Sequence, residues 1–147
     1  MEKFDIKLEA PAVKPENGAT FYVIRHGRSL FNHPYEIAIK EHGKWSQAWR
    51  DVMFNGDFVD ADLHPIGLMQ CATNAEKLHP INFTRVFVSP MNRAMQTCIN
   101  MFKGHPNVAN IKFTLLPLAR EVMQGSQDIP QDVYRLMERY GEGKDDA

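Results

Sequence analysis

The sequence predicts an α/β fold, a mainly parallel sheet with flanking helices. Three observations carry this. Short apolar runs recur along the chain, and each ends abruptly at polar or helix-starting residues. The segments between them place apolar residues at helical spacing. Those connections are a dozen or more residues long, which suits crossovers between parallel strands rather than hairpins. Such crossovers are right-handed, so the carboxyl ends of the strands collect on one edge.

The elements follow in order. Residues 1–19, charged and Pro-containing, read as a loose leader before a domain over 20–140. Phe21 to Ile24 is a continuous apolar run, expected as a strand covered on both faces. Residues 34 to 54 permit helix and carry Trp45, Trp49 and Phe54, with a loop at Asn55-Gly56-Asp57. Leu68, Cys71, Ala72, Ala75 and Leu78 share a helical face between Pro65 and Pro80, predicting a helix over 65–79. Arg85 to Val88 is a second strand, followed by Ser89-Pro90 as N-cap and first helical residue. Met91, Ala94, Met95, Cys98 and Phe102 mark the helix that follows, stopped by Lys103-Gly104. Residues 111–116 alternate in polarity, as a strand near a sheet edge does. A last helix runs from about Pro130 to Tyr140, and residues 141–147 form a polar tail.

Composition narrows the function classes. A length of 147 residues indicates one domain. The net charge of -1 gives no basis for binding nucleic acid or an anionic membrane. No apolar run reaches transmembrane length. Cys71 and Cys98 both fall on predicted apolar helix faces, as buried thiols do in a reducing compartment. The expectation is a cytoplasmic protein, with the nucleus as the alternative.

The chemistry gathers at the predicted strand ends. Arg25-His26-Gly27 closes the first apolar run, with Ser29 and Asn32 close behind. Gly27 lets the backbone turn and approach an anion. Imidazole is a nucleophile and guanidinium clamps phosphate, so the group suggests phosphoryl transfer through a phosphohistidine. Arg93 lies in the first turn of the helix after the second strand, and helical side chains lean toward the N-terminus. Its guanidinium can reach the same phosphate. Glu121 follows the third strand and can supply the proton that a leaving alcohol needs. The six histidines show no tight ligand spacing, so no metal and no cofactor are expected.

These residues are similar to an ordered set of motifs. RHGRSLFN resembles the R-H-G-x-S-x-x-N opening of the histidine phosphatase superfamily, the phosphoglycerate mutase-like group. VFVSPMNRAMQTC resembles its second motif, a strand followed by S-P-x-x-R-A-x-Q-T. Between them, Asp60-Ala61-Asp62-Leu63-His64-Pro65-Ile66-Gly67-Leu68-Met69-Gln70 is similar to D-x-x-L-T-x-x-G-x-x-Q, with His64 where Thr is usual. The resemblance implies that His26 attacks phosphorus and Glu121 is the general acid. It implies that Arg25, Arg93 and Asn32 hold phosphate oxygens while Ser29 supports the loop.

Two departures from the pattern shape the expectations. The family's second essential His lies in a later strand after the general acid, and no His follows Glu121 here. The chain is therefore expected to be incomplete at its C-terminus: a piece of a larger enzyme, a chain completed by a homodimer partner or second chain, or a shortened inactive relative. By itself it should be nearly inactive. The stretch from His33 to Val59 is also longer than in compact members. Trp45 and Trp49 there either contact substrate or pack the insertion onto the body, and Arg28 adds charge beside the pocket. The resemblance implies a phosphatase for a phosphorylated small molecule or phosphoprotein. A mutase and a non-catalytic phosphate-binding or protein-interaction module are the alternatives.

Overall fold

The computed structural model describes residues 18–141. The expected leader and tail lie almost wholly outside these residues. Two strands, β1 (Arg85–Val88) and β2 (Lys112–Leu115), pair in parallel, with Arg85 opposite Lys112 and Val88 opposite Leu115. The helices are α1 (Asn32–His42), α2 (Gln47–Met53), α3 (Pro65–Leu78), α4 (Asn92–Phe102) and α5 (Val133–Tyr140). The class is the α/β arrangement that the sequence predicts, with α4 as the crossover between parallel strands.

Two apolar clusters hold the fold. In the larger, Leu63, Cys71, Leu78, Met101, Phe102 and Ile111 are buried between α3, α4 and the sheet. Phe102 meets Phe83 and Phe113 edge-on, with ring centroids 5.3 and 5.5 Å apart. The smaller cluster joins Phe31, Trp49, Met53 and Ala61 beneath α1 and α2. Both cysteines are free thiols, and burial pushes the Cys98 thiol up to about 12.

The first expected strand is absent from the sheet: Phe21 to Ile24 forms no strand. Its side chains alternate as an extended chain's do, but only one side is covered. Ile24 packs on the larger cluster and Tyr22 sits edge-on to Phe83 at 5.6 Å. Phe21 is 82% exposed and Val23 97%. Apolar character makes a segment suitable for a strand; a ladder partner is what makes it one.

Smaller differences have local causes. Ser89-Pro90 does not begin α4; the cap is Met91, without a side-chain hydrogen bond. The Asn92 N–H instead donates to the Asp60 carboxylate at 2.8 Å, which satisfies a first-turn donor from outside the helix. The segment 34–54 is two helices, broken where Gly43 and Trp45 adopt φ of 83° and 74°. Ser46 then caps α2 by accepting from the Trp49 N–H. The last helix starts at Val133, because Asp132 caps it and the preceding Gln131 N–H is drawn to Asp60.

Candidate functional site

The turn from Arg25 to Asn32 is fixed by backbone proximity and by Ser29. Gly27 and Gly67 touch backbone to backbone. A Cβ on Gly67 would lie 2.1 Å from the Arg28 carbonyl oxygen, and one on Gly27 would lie 2.8 Å from that of Gly67. Only glycine permits this approach. Around it, the Gly27 N–H donates to Thr97 Oγ1 at 3.0 Å and the Arg28 N–H to Gln70 Oε1 at 2.8 Å. The His64 N–H donates to the Arg28 carbonyl at 2.9 Å. His64, standing where Thr is usual, caps α3 through Nδ1, which accepts from the Ile66 N–H.

Ser29 is buried, and both its N–H and its hydroxyl donate to Asn32 Oδ1 at 2.9 Å. Because Oδ1 faces those donors, Asn32 Nδ2 keeps its N–H groups for an incoming acceptor. An antiparallel bridge between Ser29 and Leu63 ties the turn to the start of α3.

His26 is largely but not fully buried at the start of this turn. Its Nδ1 lies 2.7 Å from the Gly27 carbonyl oxygen, so Nδ1 carries the proton and Nε2 presents a lone pair. Burial lowers the imidazole pKa below its ordinary value. The Gly27 hydrogen bond opposes this, and the charges of Arg93 and Arg25 add to the lowering. Glu121 acts the other way, and the net shift favours the neutral ring.

Arg93 and Glu121 face His26. Glu121 Oε1 is 3.8 Å from His26 Nε2, and its Oε2 is 3.8 Å from Arg93 Nη2. The two partners differ sharply in setting. The Arg93 side chain is 4% exposed and that of Glu121 is 59% exposed. Arg93 Nη1 donates to the Gln127 carbonyl at 2.6 Å, and Nη2 to Asp128 Oδ1 at 3.0 Å. The structure thus brings His26, Arg93 and Glu121 together, with Arg25 close enough for its charge to act on His26.

The remaining residues singled out from the sequence have partners of their own. Arg28 is ion-paired with Glu36 of α1, so its charge is already engaged. Trp49 is buried in the smaller cluster, while Trp45 is exposed, edge-on to Trp49 at 4.6 Å. Among the described residues, no group of three or more His, Cys, Asp or Glu side chains could hold a metal ion. No helix among them is long and apolar enough to cross a membrane.

Two buried carboxylates escaped the sequence reading. Asp60, in the left-handed region at φ 45°, accepts from the Asn92 and Gln131 N–H groups at 2.8 and 3.2 Å. Burial raises its pKa against those bonds. It lies within the D-A-D-L stretch, whose pattern carries no sign that this carboxylate is buried. Asp128, in the loop before α5, carried no sequence signal beyond a Gly three residues earlier.

Comparison with known proteins gives the family. A model of the histidine phosphatase superfamily (branch 1) matches residues 21–140. Fructose-2,6-bisphosphatase TIGAR B of Danio rerio is 32% identical over 87 residues, which are 59% of this chain and 34% of that protein. Probable fructose-2,6-bisphosphatase TIGAR A of the same organism is 35% identical over 63 residues, 43% of this chain and 24% of that protein. The match thus spans about a third or less of the length of these curated relatives. With a family model covering most of its length, the chain belongs to the histidine phosphatase superfamily.

Proposed function

We propose that this chain carries the phosphoryl-accepting part of a phosphomonoesterase site. The observation that supports it most is the neutral His26, whose free Nε2 faces Glu121 while Arg93 stands beside both. In this reading Nε2 attacks phosphorus as the ester P–O bond breaks, forming an N–P bond. Glu121 gives its proton to the leaving alcohol. Arg25, Arg93 and Asn32 hold the phosphoryl oxygens as charge spreads over them. Glu121 then takes a proton from water, water oxygen attacks phosphorus, and orthophosphate leaves with the Nε2 lone pair restored.

The relatives' names suggest a sugar bisphosphate as the first substrate to try. The test is to offer such a donor labelled on phosphate and to look for label on nitrogen. Acid-labile label on the chain that disappears in His26→Ala supports the reading. Phosphate that binds at this site without ever forming an adduct would favour a binding module instead. The bare apolar side of Phe21 and Val23 suits a covering surface from a second copy or another chain, and sedimentation of the purified chain reads this directly.

A further inference from the structure

Arg93 is the buried cation of the site, and its aim is set by a loop outside the motifs. Its guanidinium offers five N–H donors in a rigid fork. Two are taken, by the Gln127 carbonyl oxygen and by Asp128 Oδ1. Asp128 is itself pinned. Its Oδ2 accepts from the Gln124 N–H at 3.0 Å and from Gln127 Nε2 at 2.8 Å, and its side chain is 2% exposed. The loop has little freedom to move, because a Cβ at Gly125 would lie 2.6 Å from the Met53 carbonyl oxygen. The bonded edge of the guanidinium therefore faces a fixed frame, while Nη2 stays 3.8 Å from Glu121.

We infer that Asp128, together with the Gln127 carbonyl, is the positioning residue that orients the Arg93 guanidinium toward the phosphoryl group bound at His26. This rests on the proposed phosphate site and adds to it a residue that touches no substrate. Asp128 acts by geometry, against its own charge. A carboxylate near a bound phosphate repels it, so a merely electrostatic role predicts tighter phosphate binding once the charge is removed. A positioning role predicts the reverse.

The probe is inorganic phosphate, titrated calorimetrically into the whole chain and into Asp128→Asn, Arg93→Lys and the double variant. Asp128→Asn should weaken phosphate binding by about 10- to 100-fold, the scale of a misplacement near 1 Å. In the Arg93→Lys background, which has no planar fork to orient, the same change should cost less than about threefold. Equal losses in both backgrounds would mean general loosening and would overturn the inference, as would unchanged or tighter binding in Asp128→Asn. Should Asp128→Asn fail to fold, Asp128→Glu keeps the charge, displaces it by one methylene, and must weaken binding through the same coupling to Arg93. Arg93→Lys binding phosphate as the unaltered chain does would instead show that the phosphate site itself is misassigned, and the inference would fall with it.

Discussion

The two sides of the candidate site are built in opposite ways. One side, the turn from Arg25 to Asn32 with α3 and α4, is closed by backbone contact and buried hydrogen bonds. Gly27 lies on Gly67, Ser29 on Asn32, and Arg93 on Asp128. The other side is a single exposed residue, Glu121, on a stretch where Leu118 and Val122 are also bare. The difference suits the roles proposed for them. A nucleophile and its anion clamp gain from being held in place before substrate arrives. A residue that gives a proton and later takes one from water gains from access to solvent. Substitutions on the closed side should therefore cost stability and rate together, and those on the open side rate alone.

The largest expected effect is on the open side. Glu121→Gln keeps size and loses the proton, so transfer from a labelled phosphomonoester to His26 should slow by about 10²- to 10⁴-fold. Its unfolding free energy in urea titration should stay within about 0.5 kcal/mol of the unaltered chain, since the side chain is mostly exposed. A loss of stability comparable to the loss of rate would erase the contrast between the two sides.

Next comes the closed side. Gly67→Ala would set a methyl group 2.1 Å from the Arg28 carbonyl oxygen, and that neighbour is backbone with little room to yield. Overpacking of this kind costs on the order of 3 kcal/mol. The same variant should lose phosphate binding even under conditions where it remains folded, because the turn that carries His26 must shift. Urea unfolding with phosphate titration checks both. An unchanged midpoint would mean that the backbone contact does not hold the turn.

Much of the closed side was legible in the sequence, and the reason is physical. Glycine at a close approach, Ser and Asn in a turn, and Arg in a first helical turn are local requirements that leave local traces at Gly27, Ser29, Asn32 and Arg93. Asp60 and Asp128 left none, since a carboxylate buried by distant chain looks identical in sequence to one in solvent. Asn92 and Gln131, which bond Asp60, and Arg93, which bonds Asp128, lie 32 to 71 residues away. The same limit explains Phe21 to Ile24 beside Arg85 to Val88. Both runs are apolar and short, yet only the second has β2 alongside to bond with. The cap of α4 failed for a related reason, as Asp60 reached the first-turn donor that Ser89 was expected to serve.

The smallest effect tests the closed side through pH. Burial and the two arginine charges lower the His26 pKa in the folded chain, while in the unfolded chain it returns toward 6.5. Between the folded value and 6.5 the unfolded chain then binds more protons than the folded one. Stability in this window rises with pH, and the contribution of His26 is lost as pH falls from 6.5 through the folded value. His26→Gln removes the titrating group, so the drop in stability below pH 6.5 should become shallower than in the unaltered chain. Unfolding midpoints taken at successive pH values measure this slope. The Nε2 resonance in a ¹⁵N titration should also reach its midpoint below 6.5. A midpoint at or above 6.5 would mean that the Gly27 hydrogen bond and Glu121, which both raise the pKa, outweigh burial and the arginines. Glu121 would then belong electrostatically to the closed side, and the neutral nucleophile would need substrate to create it.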